Sequence, residues 1–211
     1  FNATKKVIEL IENIPKKNRN DENPLLICLI SGGGSALLTY PNEFSQDDNL
    51  KLKLETIKRL VESGATINEL NCIRSCLSKV KGGNLAKYAF STINSLTILS
   101  FIISDVIDDP LDVIASGPTS LNSCLNENEK YQSAIDLIKK FKLEDKLPAP
   151  VLNYLTENFN KKDTKNQNLD LLAYKNKLFN YLIGNNRLAT RSIETILLNE
   201  FDRVEKFDYV K

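Results

Sequence analysis

Leu25-Leu26-Ile27-Cys28-Leu29-Ile30-Ser31-Gly32-Gly33-Gly34-Ser35-Ala36-Leu37-Leu38 reads as three elements in succession. Leu25 to Ile30 is continuously apolar, as strands of parallel sheets are. Ser31 to Ser35 hold three glycines between two serines, a loop rich in backbone donors. An apolar pattern at helical spacing follows. A strand, a glycine loop and a helix start in this order suit an anion, most often a phosphate.

Outward from this stretch the chain alternates between strand and helix signals. Val7, Ile8, Leu10, Ile11 and Ile14 predict a helix over residues 4–14, closed by Pro15. Leu50, Leu54, Ile57, Leu60 and Val61 predict a helix over 45–63, ended by Gly64. A helix from about 66 to 80 is expected to stop at Gly82-Gly83, with 84–88 restarting a turn. Residues 96–103 and 177–183 read as further strands, and 203–210 as the start of another. Residues 129–141, 150–159 and 188–198 read as amphipathic helices, the last capped by Asn185 or Asn186. Residues 160–168 read as a polar surface loop. The alternation predicts an α/β fold, Rossmann-like and doubly wound, with a mainly parallel sheet and helices on both faces. Ligands of such sheets sit at the carboxyl ends of the strands. Ser31 to Gly34, Ser104-Asp105 and Gly184-Asn185 fall at such ends.

Composition narrows the function. The chain has 211 residues, 28 Lys and Arg against 27 Asp and Glu, so no strong field invites nucleic acid or an anionic membrane. No apolar run approaches the roughly 18 residues of a membrane span. There is no His, which removes Ser-His-Asp and Cys-His chemistry from this stretch. Gly34-Ser35-Ala36-Leu37 misses the nucleophile elbow, and no Gly-Lys-Ser/Thr marks a Walker loop. Cys28, Cys72, Cys76 and Cys124 fit no zinc spacing and read as reduced thiols of an intracellular protein. The chain starts at Phe1 and contains no Met, which points to a piece of a longer protein.

The expected 66–80 helix carries Asn71, Arg74, Ser78 and Lys81 at i, i+3, i+7 and i+10, one narrow stripe opposite Leu70, Ile73, Leu77 and Val80. A polar stripe can be a plain solvated face. This one has two cations, no carboxylate to pair them, and ends at glycines that admit a ligand to the backbone. Asp105 ends an apolar strand, where a carboxylate can hold Mg²⁺ or accept a hydroxyl proton. Asp108 and Asp109 follow in a sequence that also makes a good turn. Ser116, Gly117 and Thr119 lie in a turn-rich loop. A phosphate loop, a cationic stripe and an acid in one cleft fit phosphoryl transfer.

Several motifs occur together in a set order. They are Ser31-Gly-Gly-Gly-Ser-Ala-Leu-Leu38, Ser63-Gly-Ala-Thr-Ile-Asn68, Asn71-Cys-Ile-Arg74, Leu77-Ser-Lys-Val-Lys-Gly-Gly83, Leu85-Ala86, Ser104-Asp-Val106, Ile114-Ala-Ser-Gly-Pro-Thr119 and Ile183-Gly-Asn185. In this order they resemble glycerate kinases of the class with a C-terminal MOFRL domain. Residues 120–176 match only loosely. The resemblance implies ATP-dependent phosphorylation of D-glycerate with Mg²⁺, usually giving 2-phosphoglycerate, in a cleft between two domains. It implies that residues 1–211 are part of the N-terminal domain, with the start of that domain and the C-terminal domain absent, so that the fragment alone is inactive. It places Asp105, Lys81 and Arg74 as the catalytic group. Ser31, Gly32, Gly33, Gly34, Ser35, Ser116, Gly117, Thr119 and Asn185 become the nucleotide-binding set, and Asp105 and Asp109 the metal ligands. A cytoplasmic protein is expected, with a mitochondrial address and a homo-oligomer both compatible.

The sequence also departs from that pattern. Asp108 stands where Gly is usual, Cys76 where His is common, Asn84 where Arg is common, and Asn122 near where an Asp is usual. Two other readings stay open on the residues alone. One is a sugar-phosphate isomerase or binder using the same loop. The other is a diverged, non-catalytic module that binds a phosphorylated ligand.

Overall fold

The computed structural model describes residues 1–17, 23–46, 48–93, 95–121, 127–161 and 174–201. Three strands, β1 (Leu25–Ile30), β2 (Thr97–Ile103) and β3 (Leu178–Gly184), form a parallel sheet in the order β1-β2-β3. Leu26, Ile98 and Leu178 share one rung, Cys28, Ser100 and Asn180 the next, and Ile30, Ile102 and Leu182 the third. The sheet is thus in register and its carboxyl ends lie along one edge. A shift in register at Ile102/Ile103 sets Ile103 opposite Gly184.

Helix α1 (Asn2–Lys17) and helix α5 (Asn84–Thr92) cover one sheet face. Ile8 and Ile11 meet Leu85, Ala89 and Phe90 over Ile98, with Leu26, Cys28 and Leu178 at the margins. A second core lies among α3 (Asn49–Glu62), α4 (Ile67–Cys76), α6 (Glu127–Lys140) and α7 (Ala149–Asn160), around Leu60, Ile73, Leu77, Ile138, Val151 and Leu155. The remaining helices are the single turn α2 (Gly34–Leu37), directly after the glycine loop, and α8 (Asn186–Leu198). Among the described residues no helix is long and apolar enough to cross a membrane.

The parallel α/β arrangement agrees with the sequence reading, while several details differ. Helices on both faces are not seen: among the described residues the second face, with Leu25, Ile27, Leu29, Phe179, Tyr181 and Ile183, is exposed. The apolar run of β1 therefore marks an apolar outer face rather than present burial on both sides. Helix α1 runs past Pro15 to Lys17. Residues 84–92 form a full helix rather than a turn. Helix α4 ends at Cys76, four residues before its expected end. Helix α3 begins at Asn49, where Asp48 accepts from the N–H groups of Leu50 and Lys51. Its inward face is Lys53, Thr56 and Leu60, whereas Leu54 and Val61, expected inside, are exposed. Cys28, Cys72 and Cys76 are free thiols, and burial pushes the Cys28 thiol up to about 11. Cys124, Asn122, the core of the 160–168 loop and the strand expected over 203–210 lie outside the described residues.

Candidate active site

The glycine loop leaves β1 at Ile30 and turns into α2 through Gly33, whose φ of 82° is open to glycine. Gly34 N–H reaches back to Ser31 C=O at 3.4 Å, and Ala36 and Leu37 both donate to Gly33 C=O. The N–H groups of Gly32 and Gly33 find no acceptor among the described residues. Ser31, Gly32 and Gly33 are exposed. The loop therefore offers donors to a ligand, as the sequence pattern suggests.

Two close approaches explain the glycines. A Cβ on Gly32 would lie 2.2 Å from Asp105 Oδ2, so the carboxylate that ends β2 rests against the loop backbone. A Cβ on Gly34 would lie 2.6 Å from Ala115 Cβ, so the 114–117 segment packs on α2. Asp105 is exposed, and the turn carrying it is held by Ser104 Oγ, which bonds both Val106 N–H and Val106 C=O at 3.2 Å.

The 114–117 segment is wound unusually. Ala115, Ser116 and Gly117 have φ of 53°, 61° and 56°, three successive left-handed residues. Such backbone is costly for non-glycine residues and persists where surroundings enforce it. Here Gly82 N–H donates to Ser116 C=O at 2.8 Å and Gly83 N–H to Gly117 C=O at 2.6 Å. Gly82 and Gly83 are themselves left-handed, so two tight loops are clamped together. Ser116 Oγ then meets Ser35 Oγ at 2.8 Å and Asn71 Oδ1 at 3.5 Å.

Asn71 Oδ1 also accepts from Arg74 Nη1 at 3.2 Å, and Lys81 Nζ donates to Ser35 C=O. The loop residues Ser35 and Ser116 and the cations Arg74 and Lys81 thus meet through one hydrogen-bonded network. The route differs from the expected helical stripe. Only Asn71 and Arg74 are on α4, while Ser78 and Lys81 lie in the tight segment beyond it. Ser78 is buried, and its hydroxyl is taken up by Tyr40 C=O and Val80 N–H. Lys81 is 2 % exposed, and its amine is pushed down to about 8, by burial first and then by Arg74. Burial also lowers the Arg74 guanidinium.

The remaining candidates sit around this centre. Asn185 Oδ1 caps α8 by accepting from Leu188 N–H, and its Nδ2 donates to Asp109 Oδ2 at 2.5 Å. Asp108 and Asp109, at φ of 63° and 53°, form the turn beyond Asp105. Gly117 is where a Cβ would strike the backbone of Asp112 at 2.8 Å. Thr119 is buried, and its hydroxyl joins Ser100 and Asn180 at 3.0 and 2.9 Å across the sheet's middle rung. Its observed contacts brace the loop on the sheet. Among the departures, Asn84 Nδ2 donates to Ser75 C=O and Ser78 C=O and so ties off the end of α4. Cys76 is buried, its thiol pushed well up by burial.

One charged residue was absent from the sequence candidates. Lys53 of α3 is 3 % exposed, with Nζ 3.5 Å from Thr39 Oγ1, four residues along the chain from the Ser35 carbonyl that Lys81 holds. Its amine is pushed down to about 7, by burial first, then by Lys81 and Arg74. The signal was its position. Leu50, Lys53, Ile57 and Leu60 share one helical phase, so this lysine interrupts an apolar line.

Among the described residues no group of three or more His, Cys, Asp or Glu is clustered. Mg²⁺ commonly takes one or two carboxylates together with water and substrate phosphates. Asp105 and Asp109 at the sheet's carboxyl edge suit such a shared ion.

Residues 1–156 match the family described as a domain of unknown function, DUF4147. The chain is 38% identical over 170 residues to a glycerate kinase of Danio rerio, covering 80% of this chain and 31% of that protein. It is 33% identical over 189 residues to a glycerate 2-kinase of Pyrococcus horikoshii, covering 90% of this chain and 39% of that one. The crystal structure of a glycerate kinase from Thermotoga maritima superposes with a TM-score of 0.69 at 26% identity, over 94% of this chain and 40% of that one. The chain thus spans only 31 to 40% of the length of these proteins. The glycine loop, the clamped 82–83 and 114–117 segments and the strand end at Asp105 all fall inside the matched span, and the chain belongs to the glycerate kinase family that carries this domain.

Proposed function

We propose that the full polypeptide carrying this chain transfers the γ-phosphoryl group of ATP to a hydroxyl of D-glycerate, giving 2-phosphoglycerate. The observation that carries this reading is the joining of the glycine loop to Arg74 and Lys81 through Ser35, Ser116 and Asn71, with Asp105 against Gly32. Family membership supports the reaction class, and the names of the relatives suggest the substrate.

Each residue has a physical task. The free N–H groups of Gly32 and Gly33 bind phosphoryl oxygens. Ser31, Ser35, Ser116 and Gly117 complete the loop contacts. Arg74 and Lys81 offset the charge that gathers on the phosphoryl oxygens in the transition state. Asp105 accepts the proton of the attacking hydroxyl. The hydroxyl oxygen forms its bond to the γ-phosphorus as the bond to the β-bridging oxygen breaks, and ADP departs with that electron pair. Asp105 and Asp109 would hold Mg²⁺, with Asn185 orienting Asp109. When bound, the ion shields the phosphate charge.

The test is ATP turnover with D-glycerate by the full-length protein beside Asp105→Asn. The expected result is robust wild-type turnover, phosphate appearing at the 2-position by NMR, and a loss of at least about a hundredfold in the variant. Unchanged turnover in Asp105→Asn removes the acid and leaves the kinase. A folded wild type that binds glycerate without turnover sinks the kinase reading in favour of a binding module.

A further inference from the structure

Lys53 and Lys81 are almost wholly buried, and Arg74 is half-buried beside them. All three come from different places: α3, the segment after α4, and α4 itself. Their mutual influence is repulsive, since Lys81 and Arg74 both weaken the hold of Lys53 on its proton. Among the described residues no carboxylate forms an ion pair with any of them. Among the described residues Lys81 has a backbone carbonyl as partner, and Lys53 has a hydroxyl at the limit of hydrogen-bond distance. A buried ammonium without a counter-charge is strongly unfavourable. Three cations gathered this way are explained by an anion that joins them.

We infer that Lys53, Lys81 and Arg74 form a three-cation seat for an oxyanion of the reacting pair, with Lys53 at its floor and Arg74 at its rim. The inference rests on the proposed function for the identity of that oxyanion, which is the acceptor's carboxylate or the phosphoryl group in transfer. The seat itself rests on burial and charge. Lys53 is a binding residue here, reaching the ligand from the side of Thr39, directly behind α2.

The experiment uses the full-length protein as wild type, Lys53→Met, Lys53→Arg and Lys51→Met, the last an exposed lysine of the same helix. Each is melted alone, with inorganic phosphate and with D-glycerate, and KM is measured for ATP and for D-glycerate. Lys53→Met should melt higher than wild type without ligand, because the repulsion is gone. It should lose the stabilisation given by one or both anions and raise the matching KM by about tenfold or more, the size of a charged hydrogen bond. Lys53→Arg should keep most of the anion response, and Lys51→Met should behave as wild type. Loss of the phosphate response assigns the phosphoryl group, and loss of the glycerate response assigns the carboxylate. Lys53→Met with both responses and both KM values unchanged overturns the seat, as does a lower melting point without ligand. A wild type that lacks kinase turnover, yet loses its phosphate response in Lys53→Met, would refute the proposed function and leave the seat standing.

Discussion

At the scale of single residues, the site depends on a missing side chain. Gly32 has a backbone conformation that alanine can adopt, so its demand is space rather than torsion. The space is filled by the Asp105 carboxylate, the far end of an exposed side chain that can swing away. Gly32→Ala should therefore leave the fold intact, with melting close to wild type, and displace the acid. A misplacement of about 1 Å in a reacting group costs roughly a hundredfold in rate. The expected outcome is a fall in kcat of that order with nearly unchanged stability, read from steady-state kinetics and thermal melting of the full-length protein. A variant that turns over normally would show that Asp105 does not need its observed place. Gly117 offers a contrast: its φ is left-handed and its neighbour is the backbone of Asp112, which cannot move aside.

At the scale of elements, α4 shows what a sequence carries locally and what it does not. Its start is written in Thr66 and Glu69, which form a capping box: Glu69 accepts from Thr66 N–H at 2.7 Å and Thr66 Oγ1 from Glu69 N–H at 3.4 Å. Its end is not written there. Gly82-Gly83 suggested a stop near residue 80, yet Lys79 N–H donates to Tyr40 C=O, Asn42 Nδ2 to Cys76 C=O, and Ser78 pairs with Pro41. Residues more than thirty positions upstream unwind the last turn, and no local signal reports them. For the same reason the sequence offers Arg74 and Lys81 as cations without their relation, which is not a helical stripe because α4 ends at Cys76. Lys53 was hidden because an amphipathic pattern assigns interior positions to the apolar residues around it. The capping box also supports a pH prediction. The Lys140 ammonium, 2.6 Å from Glu69 Oε1, joins the Thr66 donors in pulling this carboxyl down to about 2 from its ordinary 4.5. A depressed carboxyl stabilises the fold above its unfolded pKa and loses that contribution as pH falls through the folded one. The urea midpoint of wild type should exceed that of Glu69→Gln above about pH 5, and the gap should close toward pH 2. A gap that is constant across this window would mean that the ion pair does not act on stability.

At the scale of the whole molecule, the parallel sheet and the edge that gathers the site were legible in three apolar runs and their carboxyl ends. The outer face was not. Leu25, Ile27 and Leu29 of β1 share a face with Phe179, Tyr181 and Ile183 of β3 through the register of β2, and Leu29 is 81% exposed. Contiguous apolar surface of this kind marks contact with further structure. Relatives of which the chain spans 31 to 40% have ample polypeptide to supply it. Residues 1–211 produced alone should bind the apolar dye ANS and self-associate, and Leu29→Lys should lower both without changing the urea midpoint. In the full-length protein ANS binding should be absent. There the same substitution should destabilise by about 3 kcal/mol or more, because a buried leucine is lost and a charge is placed without a partner. Leu29→Lys tolerated in the full-length protein would mean that this face stays open to water in the intact molecule, and that its apolar row serves some contact other than its own polypeptide.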